Sequence, residues 1–310
     1  YAGDIDFDTL PEMMAKTVRT LAHNTNGDIL AFLPGQGEIK KTESILRKNL
    51  PDFSIHPLFG QLSPMAQQQA IFPNKQGKRK VVLATSIAET SLTIDGISIV
   101  VDSGFSRTSK FNPKTGLSKL ETIRVTKDAA DQRTGRAGRL GPGKCLRLWS
   151  KATQLKLADF RVPEIQEADL ASLVLELARW GINDIKSMTW LTPPPAGHVA
   201  QAKELLENIQ ALEGGKLTDH GVSISQIPAH PRIAHMLLIS KVHGEMALAT
   251  DIAAILEEKD PLEEQSGVDI NLRIEALRRA RREKQSIKAL DKIEKIANQY
   301  RRILNIEEEN

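Results

Sequence analysis

The chain's 310 residues are 40% apolar and 26% charged, the balance of a folded, water-soluble protein with room for two to three domains. The lack of any run of about 18 uncharged apolar residues excludes a membrane-spanning helix, neither end has a signal-peptide layout, and Cys145 is the only cysteine, so a reducing cytoplasm is the expected setting. The net charge of +3 is unevenly spread: from Arg273 to Arg302, 11 Lys/Arg stand against 4 Asp/Glu, which suits either a polyanion or a solvated helix face.

The first 150 residues alternate short apolar runs with helical stretches, the pattern of an open parallel sheet covered by helices. Asp28 to Leu33 reads as a buried strand, stopped by Pro34-Gly35-Gln36-Gly37, and Glu38 to Leu50 as the helix that follows. Ile55 to Phe59 is the next strand. Ser63-Pro64 joins a cap residue to a proline suited to a first helical position, and that helix runs to about Phe72. Lys80 to Ala84 and Ile97 to Asp102 are continuous apolar strands, as expected when both faces are covered. Arg107 to Phe111 and Leu117 to Val125 flank Asn112-Pro113-Lys114-Thr115-Gly116 and form a predicted exposed hairpin. An arginine-bearing helix over residues 132–139 and a strand from Lys144 to Trp149, with Cys145 as a buried strand thiol, close this domain.

Beyond Ser150 the alternation fades. Gln166 to Trp180 reads as an amphipathic helix stopped by Gly181, Thr192-Pro193-Pro194-Pro195 as a rigid connector, and Ala200 to Leu212 as a second helix. Gly214-Gly215 then marks a small hairpin, so 151–222 has the layout of a winged-helix unit. From Pro231 onward the chain is almost wholly helical, with Ile287, Leu290, Ile293, Ile296, Tyr300, Ile303 and Leu304 on one apolar stripe. His230 and His235 are five apart, a capping or core spacing and not a metal-binding one.

Two segments carry chemistry. The run Gln132-Arg133-Thr134-Gly135-Arg136-Ala137-Gly138-Arg139 sets three arginines and two glycines in a predicted helix. A continuous helix there places Gln132, Arg136 and Arg139 on one face, with Arg133 about 100° away. Guanidinium forks suit phosphate oxygens, and helix glycines suit close approach of a triphosphate; a solvated arginine face is the plainer alternative. The second segment, Thr85 to Gly96, puts the hydroxyls of Thr85, Ser86 and Thr90 directly after a buried strand, where open parallel sheets gather ligands. Such hydroxyls fit phosphate or ribose, or the cap of a following helix.

Together, Thr85-Ser86-Ile87-Ala88-Glu89-Thr90-Ser91-Leu92-Thr93-Ile94-Asp95-Gly96 and the arginine run resemble motifs V and VI of the DEAH-class superfamily 2 helicases. Phe32-Leu33-Pro34-Gly35 resembles motif IV, and Leu58-Phe59-Gly60-Gln61-Leu62-Ser63 motif IVa. Within the class, Leu173 to Leu206, above all Trp190 to His198, is similar to the bacterial HrpB-type ATP-dependent helicases.

The resemblance implies an α/β, RecA-like parallel sheet with helices on both faces (1–150, the second RecA-like domain), a winged helix (151–222) and an all-α bundle lining a nucleic-acid channel (223–310). It implies ATP and Mg²⁺ as cofactors. Gln132, Arg136 and Arg139 would meet the γ-phosphate, with Arg133 in support. Phe72 would pack on adenine, with core packing as the other reading, and Asp95 would lie near the ribose. Thr85, Ser86 and Thr90 would hold the backbone of single-stranded or structured RNA, with DNA as a possible substitute; Ser86 stands where the family commonly has asparagine. The hairpin 107–125 would lean on the strand, and Arg278 and Arg279 in the basic segment would add phosphate contacts. A monomer is expected.

No Gly-x-x-x-x-Gly-Lys-[Ser/Thr] loop and no Asp-Glu-x-His box occurs, and the chain opens on Tyr1 and not on methionine. The expectation is therefore an excerpt lacking the first RecA-like domain, inactive alone. A DNA-directed translocase and a non-catalytic nucleic-acid-binding module are the alternatives.

Overall fold

The computed structural model describes residues 1–74, 77–90, 92–112, 117–138, 141–262 and 266–306, which form two compact units, Tyr1–Ala168 and Asp169–Asn310.

The first unit is built on a five-stranded, all-parallel sheet. Its elements are α1 (Leu10–Asn24), β1 (Asp28–Phe32), α2 (Gln36–Asn49), β2 (Ser54–Leu58), α3 (Pro64–Ile71), β3 (Lys80–Ala84), β4 (Ile97–Asp102), β5 (Phe105–Asn112), β6 (Leu117–Arg124), α4 (Lys127–Gly135), β7 (Lys144–Arg147) and α5 (Lys151–Lys156). The sheet order is β2-β3-β1-β4-β7. Alternate residues of β1 and β3 point to opposite faces, so their continuous apolar runs serve two cores. Ile29, Ala31, Val81 and Leu83 pack with Met14, Val18, Ile39 and Leu46 of α1 and α2, whereas Leu30, Phe32, Val82 and Ala84 pack with Ala70, Ala88 and Ala137. This is the expected α/β, RecA-like arrangement. α3 starts as its sequence predicts, with Ser63 Oγ accepting from Ala66 N and Pro64 in the first turn. Helix α1 has no counterpart in the sequence reading; its buried face, Leu10, Met14, Val18 and Ala22, recurs at helical spacing and covers the sheet.

The segment after β7 stays with this unit. Asp4 accepts from Ser150 N and Thr153 Oγ1 at 3.1 and 2.7 Å, Lys127 N donates to Ala158 O at 2.8 Å, and Lys127 Nζ pairs with Asp159 at 2.7 Å. The expected boundary at residue 150 therefore lies inside the first unit. Gly104 is fixed by Trp149: with φ +77°, a Cβ there would stand 2.7 Å from the buried indole.

The second unit contains α6 (Ala171–Arg179), α7 (Ala196–Asn208), the hairpin β8 (Leu212–Glu213) and β9 (Lys216–Leu217), then α8 (Asp219–Ser225), α9 (Pro231–His243), α10 (Met246–Glu257), α11 (Ile270–Arg282) and α12 (Lys288–Leu304). α6 begins later than predicted because Asp169 Oδ1 takes the Ala171 N–H at 2.7 Å and residues 164–166 form a separate short turn. α7 ends at Asn208, before Leu212 is drawn into β8. The stripe on α12 is narrower than predicted: Leu290, Ile293 and Ala297 are buried in one cluster with Ile274 and Leu277, and Tyr300 is buried with its hydroxyl donating to Glu257, while Ile287 and Ile303, at its two ends, are partly exposed. His230 caps α9 and pairs with Asp169 at 3.0 Å, and His235 Nδ1 meets His220 Nε2 at 2.8 Å.

Two stability measurements follow from these contacts. Gly104→Ala should cost at least about 2 kcal/mol in denaturant unfolding, through strain at positive φ and collision with Trp149, whereas Gly37→Ala, in open space on α2, should be neutral or stabilising. Burial, then the neighbouring His220, lowers the His235 pKa from 6.5. The unfolded imidazole thus takes its proton first, so this contribution is whole above pH 6.5 and is lost as pH falls toward the folded value. Unfolding midpoints between pH 7.5 and 5 should decline less in a His235→Gln variant than in the parent.

Candidate functional site

Beyond β3 the backbone makes one short 3₁₀ turn, Ser86–Ala88, after Thr85 N donates to Leu58 O at 3.2 Å. Ala88 is buried beneath the turn, which leaves Thr85 and Ser86 half-exposed and Thr90 exposed at the mouth. Ser86 also lines a cavity of about 280 Å³ shared with Thr108, Lys110 and Ile123 of the hairpin and with Phe160 and Val162. The hairpin pairs as predicted, from Phe105↔Arg124 to Asn112↔Leu117, and Arg107 braces it on Glu38 at 3.1 Å.

The arginine run differs from its prediction. α4 stops at Gly135, and Arg136 to Gly138 form a turn, so no continuous helix carries Gln132, Arg136 and Arg139 on one face. Gln132 is exposed, Arg136 is buried, and Arg139 lies outside the described residues. The Arg136 guanidinium grips the preceding loop: Nε donates to Glu89 O at 2.8 Å and Nη1 to Leu92 O at 2.6 Å. A Cβ on Gly135 or Gly138 would meet nothing in the chain, so no internal packing explains either glycine.

Arg133, expected to stand off to one side, is instead the most enclosed group of the run, with 0% exposure. Its Nε and Nη2 reach Glu89 Oε1 at 2.7 and 2.6 Å, its Nη1 reaches Asp102 Oδ1 at 2.7 Å and Phe105 O at 3.2 Å, and its plane lies 4.8 Å from the Phe32 ring centroid. Burial would lower its pKa, but the charges of Asp102 and Glu89 outweigh that and hold it above the ordinary value. Arg161 adds a second cation to the same Glu89 carboxylate. Neither Glu89 nor Asp102 was singled out in the sequence; the available signal was a carboxylate inside a hydroxyl-rich loop and another ending an apolar strand, opposite one surplus arginine.

Phe72 is not core. It is 57% exposed and lines a cavity of about 690 Å³ with Ser54, His56, Met65, Gln68, Gln69, Pro73 and Asn74. Asp95 is exposed in the turn before β4, where Gly96 takes φ +84° because a Cβ would strike Asp28 Oδ2 at 2.7 Å. Lys80, at the start of β3, bonds the Phe72 carbonyl and lies within electrostatic reach of Asp95. Phe72 and Asp95 therefore share the amino end of the sheet, and Thr85, Ser86 and Thr90 its carboxyl end, with Arg136 on the loop between them.

In the second unit several arginines of the basic segment are paired with acids of the bundle. Arg278, Arg281 and Arg301 converge on the buried Asp251, at 3.1, 2.8 and 2.5 Å, and Arg281 and Arg301 also reach Glu294. Arg273 pairs with Asp260 at 2.6 Å. Arg278 is thus committed within the bundle, and Arg279 is exposed.

Residues 9–141 match the helicase conserved C-terminal domain. Over 248 residues, 80% of this chain, the sequence is 44% identical to the ATP-dependent RNA helicase HrpB of Escherichia coli (strain K12), and over 269 residues, 84% of the chain, 36% identical to that organism's ATP-dependent RNA helicase HrpA. Two crystal structures of E. coli HrpB, one described as a DExH-box NTPase and one as a DEAH/RHA helicase, superpose over 99% of the chain at 37% identity, with TM-scores of 0.78 and 0.84.

The chain belongs to the HrpB-like DEAH helicases.

It spans 31% of HrpB and 20% of HrpA, and 36–37% of the two crystallised chains. The segment that matches the helicase domain holds both the 85–96 loop and the turn after α4, and with them the Arg133 and Arg136 contacts. Arg133→Ala would leave Asp102 buried without its cation and Glu89 with Arg161 alone, at a cost of about 3–5 kcal/mol. Gln132→Ala, on the exposed side of α4, should stay within about 0.5 kcal/mol. Chemical unfolding of the two variants checks this, and equal midpoints would remove Arg133 from its central place.

Proposed function

We propose that this chain forms the second RecA-like domain, winged helix and helical bundle of an ATP-dependent RNA helicase, coupling nucleotide hydrolysis to movement along RNA or its unwinding. The observation that carries the reading is the joint hold of Arg133 and Arg136 on the 85–96 loop, which would tie a segment facing the triphosphate to one facing the strand. The exposed Phe72 would stack on the adenine, Asp95 would face the ribose, and Gln132 and Arg139 would meet the γ-phosphate from the open side left by Gly135 and Gly138. Arg136 would join them only by exchanging its loop carbonyls for phosphate oxygens, so its position would register whether ATP is bound. Thr85, Ser86, Thr90 and the hairpin would hold the strand, with Arg279 adding a phosphate contact and Arg278 holding the helix that presents it.

ATP supplies the reactive phosphoryl group and Mg²⁺ its charge neutralisation. The ion would be held mainly by the first RecA-like domain, outside this chain.

The reading is tested by phosphate release. The chain alone, with saturating single-stranded RNA, should show no turnover above background. In a full-length enzyme carrying it, Arg139→Ala should lower kcat about 10²-fold with RNA affinity nearly unchanged. RNA should stimulate hydrolysis more than a DNA of the same sequence. Robust turnover by the chain alone would refute the half-site, and stronger stimulation by DNA would replace RNA as the substrate.

A further inference from the structure

α3 ends in an unusual way. Helices commonly close on a left-handed glycine that satisfies their last carbonyls. Here the cap is Phe72, with extended backbone at φ −80°, ψ 156°, followed by Pro73. The closing donor is a side chain from another element: Lys80 Nζ donates to Ala70 O at 3.2 Å, Ile71 O at 3.0 Å and Phe72 O at 3.1 Å. Lys80 is fully buried at the head of β3, its own N–H is held by Asp28 Oδ1 at 2.8 Å, and Asp28 and Asp95 supply the nearest negative charge. Burial lowers the ammonium pKa, and those two carboxylates oppose the shift.

A buried ammonium is an expensive way to end an eight-residue helix when a glycine would serve. What the lysine permits is a large aromatic residue at the cap, where the chain must turn, with its ring projecting outward. The ring is 57% exposed, so side-chain packing holds it only in part; the backbone beneath it sets its direction.

We propose that Lys80 is the positioning residue for Phe72: by pinning three consecutive carbonyls it fixes the aromatic ring where a nucleobase stacks. The inference rests on Phe72 being the base contact. It predicts that Lys80 governs affinity for ligands that carry a base, and not for the triphosphate as such.

The experiment uses a full-length enzyme carrying this chain and compares inhibition of its ATPase by ADP and by inorganic tripolyphosphate, which has no base. Phe72→Ala should weaken ADP about 5- to 100-fold, the range of one lost stacking contact, with tripolyphosphate unchanged. Lys80→Gln should weaken ADP at least about 3-fold, with kcat within about 2-fold and tripolyphosphate unchanged, and should add nothing in the Phe72→Ala background. Lys80→Arg, which keeps a cation and several donors, should recover most of the loss.

A purely structural lysine would move both inhibitors together, and that result overturns the proposal. ADP inhibition lost in Phe72→Ala but kept in Lys80→Gln overturns the role of Lys80 alone. ADP inhibition unchanged in Phe72→Ala removes the base contact and, with it, what Lys80 is said to position. Should Lys80→Gln fail to fold, the Lys80→Arg and Phe72→Ala pair decides: independent effects on ADP count against the proposal, and coupled effects support it.

Discussion

A guanidinium without access to water must be surrounded by charge and acceptors, because burying it alone would cost far more than a domain's whole stability margin. Arg133 meets that requirement by drawing four separate pieces of chain to one point: Glu89 from the loop after β3, Asp102 from the end of β4, the Phe105 carbonyl from the entry to the hairpin, and α4 itself. The loop, the hairpin root and the arginine turn therefore behave as a single body, set on a sheet already fixed by two apolar cores.

Against that rigid background, Arg136 is the adjustable element. It grips the same loop through the carbonyls of Glu89 and Leu92, and a phosphate oxygen in their place would add a full ion pair to a hydrogen bond whose donor is already charged. Two arginines three residues apart thus hold one loop by bonds of different strength. The carboxylate pairing preserves the shape of the site, and the carbonyl pairing leaves room for a ligand to compete.

The strands were legible because a parallel sheet covered on both sides needs uninterrupted apolar runs, and Ile29 to Leu33, Val81 to Ala84 and Ile99 to Val101 supply them. The start of α3 was legible from Ser63-Pro64, and the hairpin from its turn residues. What failed was the extrapolation of helical geometry past Gly135: a 100° wheel is valid only while the helix lasts, and α4 ends where the arginines become informative. The partners of Arg133 were out of reach for another reason. Glu89 and Asp102 are 44 and 31 residues away in sequence, and only the β3–β4 crossover brings them together. The pairing within the basic segment was equally hidden, since a local charge sum ignores acids contributed by another helix, and Asp251 of α10 meets three of those arginines.

The same principle separates the two arginine-rich regions. In the bundle, Arg278, Arg281 and Arg301 are matched by Asp251 and Glu294, so their charges are largely cancelled within a few ångströms and project little field outward. In the sheet unit Arg133 takes up both Glu89 and Asp102, with Arg161 as a second cation on Glu89, and leaves its neighbours along the run to other partners. An arginine's place in a run therefore says little about its task; the acids that the fold brings within reach decide it. At the sheet's other end the roles are reversed: Lys80 is buried so that Phe72 can be exposed, and the polar group carries the architecture while the aromatic group meets the solvent.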